Sequence, residues 1–114
     1  MKNIETAFNN LDKFLEREYY VLLVPRNRTA EKLIKAYNLY QDLADAYIES
    51  GAIEEARTTM RKSLFLFLDF DWREKPYLKE DVEKIFDRML IPWMKQNGME
   101  DEIPDLLKAL DILN

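Results

Sequence analysis

The chain has 114 residues, 47% of them hydrophobic and 34% charged, with a formal net charge of −5. This is enough chain for one continuous core, and the acid excess disfavours the general phosphate-binding surface that nucleic acid requires. It contains no Cys and no His, which removes disulfides, thiolate chemistry, structural zinc and the usual general base; two Gly and four Pro argue against a run of tight β-turns.

The first predicted element is a helix that starts at an Asn3 N-cap with Glu5 in its first turn. Ile4, Ala7, Phe8, Leu11, Phe14, Leu15 and Leu22 form its apolar stripe, and the reading carries it to about Leu23. Tyr19 to Val24 is rich in strand formers, but no second segment of that character exists to pair with it. The first residues lack the apolar stretch of a signal peptide, and no apolar run reaches the roughly 18 residues of a membrane span, so a cytoplasmic protein is expected. Pro25 and Arg26-Asn27-Arg28 make the first loop, and Thr29 is the expected N-cap of helix two, which runs to Ser50.

Helix two places Leu33, Tyr37, Tyr40, Leu43, Ala44 and Tyr47 on one face, with Glu31, Lys35, Asn38, Asp42, Asp45 and Glu49 opposite. Gly51 sits where a helix C-cap takes positive φ, and Ile53, Ala56, Met60, Ser63, Leu64 and Phe67 restart the same periodicity at once. So short a break predicts a hairpin, with Ala44 and Ala56 small where the helices approach most closely.

These residues resemble the tetratricopeptide repeat, whose pattern is W-x2-L-G-x2-Y, then A-x3-F, then P. Here the same spacing is filled by Tyr40, Leu43, Ala44 and Tyr47, then Ala56. Met60 replaces the later aromatic, and Leu68 stands where the closing Pro is expected. The resemblance covers roughly one repeat of about 34 residues, Tyr37 to Phe70. It implies that the first helix of the hairpin lines a partner-binding groove, through Asn38, Gln41, Asp45, Ile48 and Glu49. Carboxylates in that set fit a basic or helical protein segment better than a free carboxylate.

Helix three carries Glu54 and Glu55 in its first turn, and in its second half Leu64, Phe65, Leu66, Phe67, Leu68, Phe70 and Trp72 cover the whole circumference. Either neighbouring helices enclose it, or Phe65, Leu68 and Trp72 form the interface of a homodimer. Helix four is expected from about Leu78 to Gln96, with Leu78, Val82, Ile85, Phe86, Met89, Leu90 and Trp93 inward and a kink at Pro92. Asn97-Gly98 stops it, and helix five takes Ile103, Leu106, Leu107, Leu110 and Leu113 inward with Pro104 in its first turn. Leu90, Met94, Gly98, Ile103 and Leu107 echo Leu43, Tyr47, Gly51, Ala56 and Met60 at a period of roughly 47 residues, longer than the family's repeat. Helix one would cap that stack.

The fold expected is therefore all-α: a single domain over residues 1–114, an antiparallel bundle of about five helices around a tetratricopeptide-like helix-turn-helix core. Basic clusters (Arg26, Arg28, Lys32, Lys35; Arg57, Arg61, Lys62) and the acidic segment after Gly98 read as solvated faces. No Gly-rich phosphate loop is present, and Ser50 and Ser63 are the only serines, neither with a base. Carboxylate chemistry remains: Asp42, Asp45 and Glu49, with Glu80, Glu83 and Asp87 at the same spacing, would hold Mg²⁺ in the manner of an all-helical nucleotide pyrophosphatase if the two faces met. The first reading is a non-enzymatic protein-interaction module without a cofactor, an adaptor that also self-associates; the Mg²⁺-dependent hydrolase is its alternative.

Overall fold

The computed structural model describes residues 3–18, 30–68, 77–105 and 108. Every regular element among them is helical, so the protein is all-α. Contacts divide the chain into two compact units, Met1–Asp69 and Phe70–Asn114.

In the first unit, α1 spans Ile4–Arg17, α2 spans Ala30–Glu49 and α3 spans Ile53–Leu68. The Asn3 side chain accepts a hydrogen bond from the Thr6 N–H at 3.0 Å, satisfying one of the orphan donors at the start of α1. Ala7, Leu11 and Phe14 are buried, whereas Phe8, expected in the inward stripe, is 51% exposed. The helix stops at Arg17, short of the Leu23 expected. Glu18 leaves helical geometry (φ −100, ψ 21) while its N–H still bonds the Phe14 carbonyl. Its carboxylate meets the Lys32 Nζ at 2.7 Å, which ties this helix end to α2. Residues 19–29, including the expected Thr29 cap, lie outside the described residues.

Helix α2 packs against both α1 and α3. Leu33, Ala36, Tyr37, Tyr40, Leu43, Ala44 and Ala46 are all buried on it. That arc is wider than a single core stripe, as two packed neighbours require. At the α1 contact, Phe14 lies under two cations, with Arg17 at 5.8 Å and Lys35 at 5.4 Å from its ring centre. At the other end, Gly51 takes φ 85. The Ala52 N–H reaches the Tyr47 carbonyl at 2.8 Å and the Gly51 N–H reaches that of Ile48 at 3.0 Å, the two bonds of a Schellman cap. The chain then enters α3, which runs back along α2 with Ala56, Thr59, Met60 and Ser63 buried. The two buried hydroxyls bond backbone carbonyls one turn earlier, Thr59 to Glu55 at 2.7 Å and Ser63 to Met60 at 2.6 Å. Ile53, read as inward, is 39% exposed. The side chains from Leu64 to Leu68 and the whole of residues 69–76 lie outside the described residues, so the expected interface at Phe65, Leu68 and Trp72 does too.

The described part of the second unit begins with a helix that changes pitch. α4 spans Tyr77–Ile85, a π-helical turn follows over Phe86–Leu90, and α5 continues over Ile91–Gln96. The Ile91 N–H bonds the Phe86 carbonyl, five residues back. Pro92 explains the change. It has no N–H to donate, and its ring crowds the carbonyl one turn before it; a widened turn relieves that crowding. The turn just before Pro92, where the sequence places a kink, is the one that takes in the extra residue. Ile85, Phe86, Leu90, Trp93, Met94 and Met99 are buried. After Gly98, a 3₁₀ turn over Glu100–Glu102 leads to helical residues 103–105 and 108. Leu106, Leu107, Leu110 and Leu113 lie outside the described residues.

Candidate functional site: a cleft between three helices

Because α2 packs against both α1 and α3, it forms the floor of a cleft whose walls are the other two. The cleft holds about 170 Å³. Its floor is one face of α2, at the spacing of three and four residues: Tyr40, Leu43 and Tyr47. The α1 wall is Phe8, Leu11 and Leu15, with Asp12 the charged member. Thr59 and Lys62 come from α3. A shallower hollow of about 270 Å³ shares Tyr47, Thr59 and Lys62 and extends along α3 to Glu54, Glu55 and Thr58.

The Thr59 hydroxyl is already donated to the Glu55 carbonyl. Burial raises the pKa of the Tyr40 phenol, so it stays protonated and is no general base at neutral pH. Ser50 and Ser63 likewise donate to the carbonyls of Tyr47 and Met60, at 2.9 and 2.6 Å. What the cleft offers is apolar wall and floor, one exposed aromatic ring, and opposite charges on facing walls, Asp12 and Lys62. With Glu54 and Glu55 the rim as a whole is acidic.

The residues predicted to line a groove sit on α2 but elsewhere on it. Asn38 and Glu49 are exposed, while Gln41, Asp45 and Ile48 are half-buried. None of the five lines either hollow. Gln41 accepts a hydrogen bond from the Tyr37 hydroxyl at 2.6 Å. That phenol is held far up in pKa, first by burial and then by the Asp45 charge. Two of the five are therefore coupled to a buried tyrosine of the core.

Sequence reasoning did not single out Thr59 or Asp12, and it took Phe8, Leu11 and Leu15 for the core stripe of α1. Their signal was present in the width of the α1 stripe. Ile4, Ala7, Phe8, Leu11, Phe14 and Leu15 cover more of α1 than one neighbouring helix buries, and the Phe8 edge is left over. The two acidic triplets belong to separate units, Asp42, Asp45 and Glu49 to the first and Glu80, Glu83 and Asp87 to the second. Among the described residues no group of three or more acids is placed to hold a metal ion, and no helix is long and apolar enough to cross a membrane. No protein family, no curated protein and no solved structure gives a match to this chain.

Proposed function

We propose that this chain is a non-enzymatic protein-interaction module that docks a protein segment in the α1–α2–α3 cleft. The observation that carries the proposal is Phe8, an aromatic ring half in solvent beside an open apolar hollow. An exposed aromatic at the edge of a concave apolar surface is the arrangement from which interface hot spots are built. In this reading the α2–α3 hairpin acts as a single tetratricopeptide-like unit with α1 packed on it. The exposed face of α2, from Asn38 to Glu49, flanks the docked segment. Asp12 and Lys62 on facing walls favour a helical segment that carries a charged residue beside an apolar anchor.

The test is affinity capture from an extract of the native host, with wild type, Phe8→Ser and Lys62→Glu compared at matched thermal stability. A protein retained by wild type and lost from both variants supports the module. Equal retention by all three, or none by any, sinks it. Addition of Mg²⁺ at millimolar concentration leaves the melting temperature unchanged on this reading, whereas a shift abolished by Asp45→Asn would favour the hydrolase.

A further inference from the structure

We infer that the segment docked in the cleft is Phe8 of a second copy of this chain, in a two-fold pair. This rests on the cleft being a protein-docking surface, and it names the partner.

The size of the hollow is the first argument. A cavity of about 150 Å³ holds a benzene ring. The cleft holds about 170 Å³, so it takes one phenyl ring and little more. Phe8 stands at its edge and does not fill it, since the side chain is 51% exposed. The same patch thus carries a ring to offer and a hollow that fits one. A two-fold interface needs this self-complementarity, because every contact it makes occurs twice with the roles exchanged.

Charge is the second argument. Asp12 lies one helical turn beyond Phe8 on the same face of α1, and Lys62 stands on the opposite wall. When the partner copy's ring enters the cleft, its aspartate arrives beside the lysine of the facing wall, and the two-fold axis repeats the pair. Both charges stand without an ion pair among the described residues. Opposed charges placed this way fix the register of the two copies and offset part of the repulsion between two chains of net charge −5.

Sedimentation velocity on the full chain from about 1 to about 100 μM is the first measurement, a range that spans ordinary dimer affinities. Wild type is expected to dimerise. Phe8→Ser is expected to raise the dissociation constant at least about tenfold, with the melting temperature of the monomer unchanged. Asp12→Lys and Lys62→Asp are each expected to weaken the dimer, and the double reversal to restore it. A strict monomer overturns the inference. So does a dimer indifferent to all of these changes, which would pair through another face. A photoreactive benzoylphenylalanine in place of Phe8, illuminated in the native host, separates the two readings. An adduct with a second copy supports the pair. An adduct with a different protein overturns self-pairing and leaves the interaction module standing. The lack of any protein adduct overturns both.

Discussion

At Gly51 and at Gly98 a helix ends through two hydrogen-bond patterns held in common, yet different structures follow. In both, the N–H before the glycine is shared between two carbonyls: Ser50 with Ala46 and Tyr47 at 3.2 and 3.1 Å, Asn97 with Trp93 and Met94 at 3.1 and 3.2 Å. In both, the residue after the glycine reaches back five residues at 2.8 Å, Ala52 to Tyr47 and Met99 to Met94. Both glycines have positive φ, 85 and 71. Beyond that point the paths diverge. Ala52 is half-buried and α3 begins at once, with Glu54 and Glu55 at its start. Met99 is 1% exposed, and a 3₁₀ turn intervenes before the helical residues at Pro104. The glycine decides where a helix stops. The side chain after it decides what the turn packs, and the first residue able to donate or cap decides how soon the next helix begins.

The largest expected effect tests that division of labour. Met99→Ala removes a fully buried side chain and should cost about 2–5 kcal/mol, whereas Ala52→Gly should cost less than about 1 kcal/mol. Urea unfolding of both variants is the measurement. Equal losses would mean that the two turns differ only in sequence and not in what they pack. Next comes Ala56, fully buried in the α2–α3 hairpin. Enlarging it to Leu should cost about 1–3 kcal/mol by overpacking. Tolerance would show that the hairpin is loose enough to part.

The glycines themselves should be nearly equivalent. A β-carbon built at Gly51 or at Gly98 meets nothing within 4 Å, so only the backbone conformation resists substitution. Gly51→Val and Gly98→Val are therefore each expected to cost about 1–3 kcal/mol, through positive φ alone. Asn at either site should recover much of that loss, because it tolerates the left-handed region. A Gly98→Val loss far above that of Gly51→Val would place a packing demand on the second turn that the open space does not show.

The glycine turns were legible because their signal is local: an apolar period, a glycine, and a period resumed. Ala44 and Ala56 were legible for the same reason, as small residues at fixed offsets from Gly51. What the sequence did not disclose depends on neighbours. Ala36 and Ala46 are buried because α2 has a helix on each side, which periodicity along α2 alone does not announce. Phe8 looks like core by its spacing and stands half in solvent, at the edge of an apolar stripe of which Ala7, Leu11 and Phe14 are the buried part. The π turn before Pro92 is an intermediate case. The proline marks the place, but whether the helix bends or takes in a residue depends on the packing of Phe86 and Leu90, both buried. The cleft follows the same rule: its lining draws on three helices, whereas the residues assigned by resemblance to a repeat all lie on one.

The end of α1 sharpens the comparison, because that helix stops without a glycine. Glu18 ends it with ordinary negative φ and is held instead by Lys32 on α2, at 2.7 Å. The hydrogen bond from Lys32 is the chief cause that lowers the Glu18 pKa below the ordinary glutamate value of 4.5, with the Lys32, Arg17 and Lys35 charges adding to it. A carboxylate whose pKa is lower folded than unfolded binds fewer protons in the native state at intermediate pH. Its contribution is therefore fully present above the ordinary value and is lost as pH falls through the lowered one. Glycine caps carry no such dependence. Thermal melts of wild type and Glu18→Gln should differ at neutral pH, wild type being the more stable, and converge as pH drops below the ordinary glutamate range. Lys32→Met should remove the same difference at neutral pH, and adding it to Glu18→Gln should cost little further, since both act on one contact. Gly51→Val should instead show a deficit that is level across that range. A Glu18→Gln deficit that persisted unchanged into acid would mean that the Glu18 side chain stabilises this end by something other than its charge.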